Sequence, residues 1–339
     1  MQTMIEDLAA RVVRGPLVDL AQLGGHESAG ILTPQTELGT VKVGITEQFL
    51  GEAKIYHERY SNIPYWSWLI SEATRGRFRE SPSMILDIGS GSGNSVLPSL
   101  EMFPEARIVA CDLSERLLAI LRDYLRLNAS AQERISLVCV DATRAEFIEE
   151  SVDLVIGAAI LHHLIDPVPC IQRACTALRR GGIALFFEPF EAGHAILRMA
   201  YERILAEDEA RGSENLPEAT ARTLRALNYD FQVRAGSDKS AEIFKKIDDK
   251  WLFTRHYFAA VAAGMDRISL EITPLWAGKD AFVMQTRTYL RLAQGLNDEQ
   301  VTAALPSWAW DILRSVDAAL SLELKQDLPL EARVIFQRT

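Results

Sequence analysis

The feature that most constrains the fold is a short apolar run that passes directly into alternating glycines. Residues Met84–Ile88 are predicted to form a strand, and a helical pattern begins near Ser95. Between them lie Gly89, Gly91 and Gly93. Glycines at alternate positions allow a sharp turn and a close ligand approach, and the helix N-terminus that follows offers unpaired N–H groups. A strand, a tight turn and a helix in this order indicate an α/β unit.

The same alternation of strand and helix continues along the chain. Further strands are predicted at Arg107–Cys111, Ile135–Val140, Val152–Ala158, Ile183–Phe187, Ile268–Thr273 and Glu331–Thr339, and helices at Ser95–Met102, Ser114–Leu127, Pro169–Leu178 and Trp251–Ala263. Strands separated by helices imply a parallel sheet that is covered on both faces. We therefore predict a doubly wound α/β domain.

The regions outside this core are predicted to be mainly helical. We divide the chain into an N-terminal helical cap (1–80), the α/β core (81–190), a helical insert (191–250) and the remainder of the core (251–339), which carries a second helical insert at about 280–325. The cap is loose at Gly24–Gly39, and its segment Phe49–Trp68 holds six aromatic residues in 20 positions. We expect the cap and the inserts to form a lid over the sheet.

Acidic residues mark the ends of three consecutive strands. Asp87 lies two residues before Gly89, Asp112 follows 25 residues later, and Asp141 ends the third strand. The carboxyl ends of parallel strands meet at the edge of the sheet where ligands bind. Asp112 can accept hydrogen bonds from both ribose hydroxyls, and Asp141 can accept one from an adenine amino group while the Ala142 N–H donates to the ring.

The glycine pattern helps to separate two classes of ligand. The dinucleotide fingerprint is GxGxxG, whereas this chain has GxGxG. A carboxylate at Asp87 would repel a pyrophosphate, but it suits the ammonium group of an amino acid. A nicotinamide-dependent oxidoreductase is therefore the less favoured alternative.

Five segments in this order resemble the successive motifs of the class I S-adenosylmethionine-dependent methyltransferases. They are Leu86-Asp87-Ile88-Gly89-Ser90-Gly91-Ser92-Gly93, Val109–Leu113, Asp141-Ala142, Val152–Leu164 and Leu178–Gly182. The resemblance implies a seven-stranded, mostly parallel sheet whose last strand is antiparallel, with S-adenosyl-L-methionine as the cofactor. The segments 190–250 and 280–325 depart from the common core of that family.

The resemblance also assigns roles to residues at the edge of the sheet. The implied cofactor-binding residues are Asp87, Gly89, Ser90, Gly91 and Gly93 around the methionine moiety, Asp112 and Leu113 at the ribose, Asp141 and Ala142 at the adenine, Gly157 and Ala158 at the sulfonium, and Tyr56 or Tyr60 reaching the cofactor carboxylate. The two tyrosines lie four residues apart on one helical face, so packing against the sheet is the alternative interpretation for them.

Two adjacent histidines follow the fourth predicted strand, near the point of methyl delivery. His162 is the candidate catalytic residue, because a histidine can take a proton from an acceptor near neutral pH. A regular turn does not aim both His162 and His163 at one site, so a structural or substrate-lining role stays open. A metal site that combines these two with Glu188 and His194 matches no zinc spacing, and we predict no metal.

Composition narrows the partners. The chain has 46 acidic against 36 basic residues, a net charge of −10, and no run of Lys or Arg, which argues against a nucleic-acid partner. No stretch of about 18 apolar residues could span a membrane. Glu6 and Asp7 argue against a signal peptide, and four cysteines without a CxxC spacing suggest a reducing, cytoplasmic setting.

These observations predict S-adenosylmethionine-dependent methyl transfer to a small or medium-sized, largely apolar or uncharged molecule, with the acceptor atom (O, N or C) open. Catalysis would depend mainly on positioning the acceptor beside the sulfonium. The alternative within the same fold is a protein that binds the cofactor without methyl transfer, as a scaffold, cyclase or decarboxylase. A homodimer through the helical inserts is a further expectation, and it is compatible with a lid.

Overall fold

One mixed sheet organises the molecule. The computed structural model describes residues 2–23, 28–39, 46–212 and 216–339. The strands in these ranges are β1 (Leu17–Asp19), β2 (Ile31–Pro34), β3 (Met84–Ile88), β4 (Arg107–Asp112), β5 (Ile135–Cys139), β6 (Val152–Ala158), β7 (Leu178–Pro189), β8 (Ile268–Pro274) and β9 (Glu331–Arg338). They pair in the order β1-β2-β5-β4-β3-β6-β7-β9-β8.

Helices cover the sheet and extend beyond it. In the described ranges they are α1 (Gln2–Ala9), α2 (Glu47–Leu50), α3 (Ala53–Tyr60), α4 (Ile63–Thr74), α5 (Val96–Met102), α6 (Glu115–Leu125), α7 (Ala129–Gln132), α8 (Val168–Ala177), α9 (Glu191–Ala210), α10 (Glu218–Arg234), α11 (Arg255–Ala263), α12 (Ala281–Gln294), α13 (Asp298–Ala304), α14 (Ser307–Ala319) and α15 (Leu322–Asp327). The predicted α/β alternation over the centre of the chain is present.

The order of the strands places the glycine-rich turn at the middle of the sheet. Strand β3 pairs in parallel with β4 on one side and with β6 on the other. Strand β9 runs antiparallel to both β7 and β8, so the predicted antiparallel last strand is confirmed. The chain adds β4 and β5 on one side of β3 and then β6 and β7 on the other. The loops after the parallel strands β3, β4 and β6 therefore meet above the carboxyl edge at this switch in strand order, where open α/β sheets bind ligands.

The sheet has nine strands rather than the seven predicted, and the N-terminal cap is not entirely helical. Strand β2 pairs in parallel with β5, and β1 pairs antiparallel with β2. Strands of three and four residues are too short to show an alternating pattern, so these two were not predicted. Residues 24–27 of the predicted loose stretch lie outside the described ranges.

Two apolar layers flank the sheet. One face is covered by α1, α8 and α11, whose side chains Leu8, Ile171 and Phe258 are buried. The opposite face is covered by α4, α5 and α6. Helix α6 begins as predicted, since the Ser114 hydroxyl accepts a hydrogen bond from the Leu117 N–H at 3.2 Å. A strand buried on both faces explains why β3 is apolar at every position before Asp87.

The two helical inserts pack against each other in a third apolar cluster. Helices α9, α10, α12 and α14 supply its buried side chains, and the Tyr201 hydroxyl donates to the Thr286 hydroxyl at 3.0 Å inside it. The inserts are therefore one body above the sheet rather than two separate loops. None of the described helices combines the length and apolarity needed to cross a membrane.

Candidate functional site

The glycine-rich turn after β3 has the backbone that its sequence predicted. Gly89 has φ +71° and Gly91 has φ +51°, a region that side chains disfavour. A Cβ on Gly89 would lie 2.7 Å from the Ile160 side chain, whereas a Cβ on Gly91 would meet nothing within 4 Å. Gly89 is therefore fixed by packing, and Gly91 borders open space that a ligand can approach.

Asp112 joins the glycine-rich turn to the start of α6. Its carboxylate accepts hydrogen bonds from the Gly91 N–H at 2.8 Å and from the Ser114 N–H at 2.7 Å. Leu113 lies between these two contacts, and its carbonyl accepts a long contact from the Cys139 thiol at 3.6 Å. The predicted ribose-binding acid thus stands beside the turn, and it also holds the two loops together.

Asp87 is a buried acid whose carboxylate has no hydrogen-bond partner of normal geometry among the described residues. Its side chain is only 1% exposed, and both oxygens are unpaired. Burial raises the pKa of Asp87 to about 7; the charge of Asp112 adds to the rise, and the neighbouring Ser95 hydroxyl opposes it. A buried carboxylate without a partner is costly, so this position calls for a donor or a cation that the protein does not itself supply.

Asp141 lies at the same edge, just after β5. Its carboxylate accepts hydrogen bonds from the Thr143 N–H at 2.9 Å and the Thr143 hydroxyl at 2.7 Å. The next residue, Ala142, packs at the border of the apolar layer beneath. These bonds fix the turn at the carboxyl edge, and adenine binding by Asp141 and Ala142 stays a prediction.

The loop after β6 approaches the glycine-rich turn from the other side. A Cβ on Gly157 would lie 2.4 Å from the Phe186 ring, so only glycine fits there. Ala158 ends the strand, and Ala159 has φ +58°, an unusual conformation for a residue with a side chain. This strained turn packs the Ile160 side chain against Gly89, so the loops after β3 and β6 are in direct contact.

Glu188 at the end of β7 holds this loop. Its side chain is 1% exposed. It accepts hydrogen bonds from the backbone N–H groups of Ile160 (3.2 Å), Leu161 (2.8 Å) and His162 (3.2 Å), and it lies 2.6 Å from the Nδ1 atom of His162. The sequence does not reveal this role of Glu188, because it depends on the pairing register that brings β7 beside the loop.

His162 and His163 both lie against a residue of the first insert, Asp249. The Nε2 atom of His162 is 3.6 Å and the Nδ1 atom of His163 is 3.2 Å from the same Asp249 oxygen. The other Asp249 oxygen is 3.3 Å from the buried Arg234 guanidinium. The two adjacent histidines therefore converge on one carboxylate, which the sequence interpretation of a regular turn did not anticipate, because the turn is a short 3-10 helix.

The charges in this cluster set its pKa values. Burial lowers the pKa of His162, but the charges of Glu188 and Asp249 more than offset this and leave it raised. Burial, together with the charge of His162, lowers the pKa of His163. Burial alone would raise the pKa of Asp249, yet Arg234 and the histidines hold it well below its usual range.

The aromatic segment of the cap lies over these loops. The Tyr56 ring lies 4.9 Å from the rings of both Phe49 and Tyr60, and Phe49 is in turn 5.2 Å from the ring of His163. Burial raises the pKa of Tyr56, and Asp112 and Asp249 add to the rise. Tyr56 thus stands between the predicted ribose acid and the histidine cluster, and Tyr60 lies farther along the same helix.

The residues present fit S-adenosyl-L-methionine on the protein's own geometry. An unpartnered carboxylate at Asp87, open space at Gly91 and an acid at the end of β4 lie around one turn. An amino-acid ammonium would satisfy the first of these, and a ribose the last. The sequence missed Asp249 and Arg234, because nothing in a polar helical insert marks residues that return to the sheet edge.

Comparison with known proteins supports the same family. Residues 85–182 match the family described as "Methyltransferase domain". A malonyl-[acyl-carrier protein] O-methyltransferase of Halalkalibacterium halodurans is 26% identical over 178 residues, which is 50% of this chain and 64% of that protein. The corresponding enzyme of Methylococcus capsulatus is 31% identical over 36% of this chain and 43% of that protein. The chain thus spans less than two thirds of the length of either relative.

A solved structure shows a similar fold. The phosphoethanolamine N-methyltransferase 2 of Haemonchus contortus, in complex with S-adenosyl-L-methionine, superposes with a TM-score of 0.50 at 16% identity. The superposition covers 89% of this chain and 61% of that one. At this identity the likeness concerns the fold alone.

Proposed function

We propose that this chain, whose residues 85–182 form a methyltransferase domain of the class I S-adenosylmethionine-dependent family, transfers a methyl group to a small or medium-sized acceptor. The observation that carries the proposal is the unpartnered, buried Asp87 carboxylate beside the Gly89–Gly93 turn and Asp112. When bound, S-adenosyl-L-methionine supplies a methyl group on a sulfonium sulfur, which is electrophilic without further activation.

The chain's own residues would bind the two substrates and hold them in line. Asp87 would receive an ammonium group, Asp112 the ribose hydroxyls, and Asp141 with Ala142 the adenine. Gly157 and Ala158, with the loop fixed by Glu188, would form the wall at the sulfonium. Correct alignment of two reactants can by itself supply much of the rate enhancement, so positioning is the main contribution we propose.

His162 is the candidate catalytic residue on the acceptor side. Its Nδ1 atom is engaged with Glu188, which leaves Nε2 facing Asp249. A histidine whose one nitrogen is fixed by a carboxylate presents the other in a defined orientation. We propose that His162 acts on the acceptor through this nitrogen.

Enclosure supports a small acceptor rather than a macromolecule. The cap contacts the first insert through the Thr46 hydroxyl and Asp248, and the second insert through Arg59, which donates to the Leu292 carbonyl at 2.8 Å. A site that is covered by the cap and the inserts limits the access of water to the reacting atoms. We further propose a cytoplasmic location, because all four cysteines are buried and free. We also propose a homodimer through the inserts. Light scattering that finds only monomer would disprove the dimer.

The test of the proposed function is calorimetry together with methyl transfer from labelled cofactor. We expect micromolar or tighter binding of S-adenosyl-L-methionine. Asp112→Ala should lower this affinity by roughly 30- to 1,000-fold, equivalent to about 2–4 kcal/mol, since a charged acceptor is lost. Circular dichroism would establish that the variant is folded. Unchanged affinity in a folded Asp112→Ala protein would remove this residue from the site.

The rival functions predict other outcomes of the same assays. Binding without methyl transfer to any acceptor in a broad panel would favour a scaffold, cyclase or decarboxylase. Binding of a nicotinamide cofactor in place of S-adenosyl-L-methionine would favour an oxidoreductase. Transfer to tRNA or to a carrier-protein-bound acyl group would contradict the free small-molecule acceptor.

A further inference from the structure

Three metal-ligating side chains from distant parts of the chain meet beside the loop after β6. Each of His162, His163 and Asp249 offers one ligand atom, and these atoms all lie within 4.8 Å of one another. The first two belong to the sheet edge, and the third belongs to the end of the first insert. Asp249 is 41% exposed and His163 is 19% exposed, so the group is accessible to an ion.

The distances in this group are long for charged hydrogen bonds. The Asp249 oxygen is 3.6 Å from Nε2 of His162 and 3.2 Å from Nδ1 of His163. Charge-assisted N–H···O bonds are usually about 2.7–2.9 Å long. Two ligand atoms at about 2.0–2.1 Å from one tetrahedral zinc ion lie roughly 3.3 Å apart. The Nδ1 atom of His163 also lies 3.2 Å from the Asp248 carbonyl oxygen. The two distances to Asp249 match the edges of a coordination polyhedron, and the third edge is at most 4.8 Å.

Neighbouring charged groups orient two of the three side chains through the atoms that do not face the group. Glu188 lies 2.6 Å from Nδ1 of His162 and so directs Nε2 toward Asp249. Arg234 holds the second Asp249 oxygen at 3.3 Å, which leaves the first for a metal ion. A histidine ligand whose other ring nitrogen is bound by a carboxylate is the usual arrangement in protein zinc sites. This support is independent of the spacing.

From the sequence, a different set of residues was considered as metal ligands. Glu188 is occupied by three backbone N–H groups and the His162 ring, and His194 is bonded to Phe190 and to the Tyr289 hydroxyl. Neither is part of the group of three. Asp249 takes their place, and its distance of 86 residues from His163 hides it from any spacing rule.

We propose that His162, His163 and Asp249 bind a divalent metal ion with the ligand preference of Zn²⁺, and that the fourth position is open. Two imidazoles and one carboxylate are a donor set that such ions accept, and an open position characterises catalytic rather than structural sites. If the proposed function holds, an acceptor oxygen or nitrogen occupies that position beside the methyl group. A metal ion there would lower the pKa of a bound acceptor hydroxyl, and the proton would leave toward solvent on the exposed side of Asp249.

The experiment measures metal binding by the full-length protein, without any methyl-transfer assay. The protein is dialysed against Zn²⁺, its metal content is determined by mass spectrometry, and Co²⁺ is used as a spectroscopic probe of the ligands. We expect about one ion per chain and a visible Co²⁺ spectrum. Asp249→Asn and His163→Ala should each lose stoichiometric binding, and Glu188→Gln should weaken it by about 10–100-fold.

Two matched variants provide the controls. His256→Ala removes a histidine of α11 outside the group, and Asp230→Asn removes the other carboxylate paired with Arg234. Both should retain stoichiometric binding. The proposal is overturned if the wild-type protein binds no ion, or if Asp249→Asn and His163→Ala bind as it does. Failure of methyl transfer with intact metal binding would refute the proposed function and leave the metal site standing.

Discussion

At the scale of single residues, Asp87 combines a cost to the fold with a proposed role in cofactor binding. Its pKa is about 7 in the folded protein because burial disfavours the charge, whereas an unfolded chain has an aspartate pKa of about 3.9. Between these two values only the folded state holds the proton. Stability therefore falls as the pH rises through this window and levels off above about pH 7.

Asp87→Asn removes this dependence. We expect the variant to be more stable than the wild type at pH 8, on the order of 2–4 kcal/mol, and close to it at pH 4. Urea unfolding of the cofactor-free proteins at both pH values measures the difference. The same variant should bind S-adenosyl-L-methionine more weakly at pH 8, because it lacks the carboxylate for the ammonium. Equal stability of the two proteins at pH 8 would show that the ionised Asp87 carboxylate does not destabilise the fold.

His162 can be separated from the cofactor half of the site. His162→Ala should lower kcat by about 100-fold or more, since either a proton-transfer group or a ligand that orients the acceptor is lost. Calorimetry should find nearly unchanged affinity for S-adenosyl-L-methionine, because the acids proposed to bind the cofactor lie on other loops. A small effect on kcat, equal to that of His163→Ala, would favour catalysis by positioning alone.

At the scale of structural elements, the contact between β6 and β7 is set by one glycine. A Cβ on Gly157 would come within 2.4 Å of Phe186 and 2.9 Å of Ile160. Gly157→Ala should therefore destabilise the fold by about 1–3 kcal/mol through overpacking. It should also weaken cofactor binding, because Ile160 rests on Gly89.

Gly278→Ala is the matched control for this change. A Cβ at Gly278 would meet nothing within 4 Å, and denaturant midpoints of the two variants can be compared directly. Loss of stability at both positions would mean that crowding at Phe186 is not the cause. Loss at neither would show that β6 and β7 shift to make room.

The elements of the core were predictable because each carries its own local signal. Strand β6 was predicted with its observed bounds from a continuous apolar run, and the start of α6 from the capping Ser114. The prediction of a methyltransferase from five motifs agrees with the match of residues 85–182 to the family described as "Methyltransferase domain". Strands β1 and β2 were missed, since their few residues gain order from pairing with β5 rather than from a pattern of their own.

The residues of the candidate site also differ in whether a local sequence signal marks them. Asp87, Asp112 and Asp141 were placed at one edge because strand ends in a parallel sheet converge. Asp249 and Arg234 could not be found in this way, since the course of the insert determines where they return. Glu188 was noticed, but its hydrogen bonds with the His162 loop depend on the pairing of β6 with β7.

At the scale of the whole molecule, the cap and both inserts close over one edge of the sheet. Ser92 in the glycine-rich turn contacts the Nδ1 atom of His57 at 2.7 Å, and the Ser114 hydroxyl donates to the Phe49 carbonyl. Arg59 then ties the same part of the cap to α12. The glycine-rich turn is therefore connected through the contacts of α3 to the body formed by the inserts.

We predict that an acceptor is enclosed between these parts, and hydrogen exchange can measure this. Addition of S-adenosylhomocysteine should slow exchange in residues 49–68, and an acceptor should slow it further there and in at least one insert, because enclosure suppresses local opening. Helix α11, on one covered face of the sheet, serves as the internal control and should not change. If protection instead maps only to a contact between subunits, and methyl transfer is seen on tRNA or on a protein, then the inserts serve assembly and the acceptor is not enclosed.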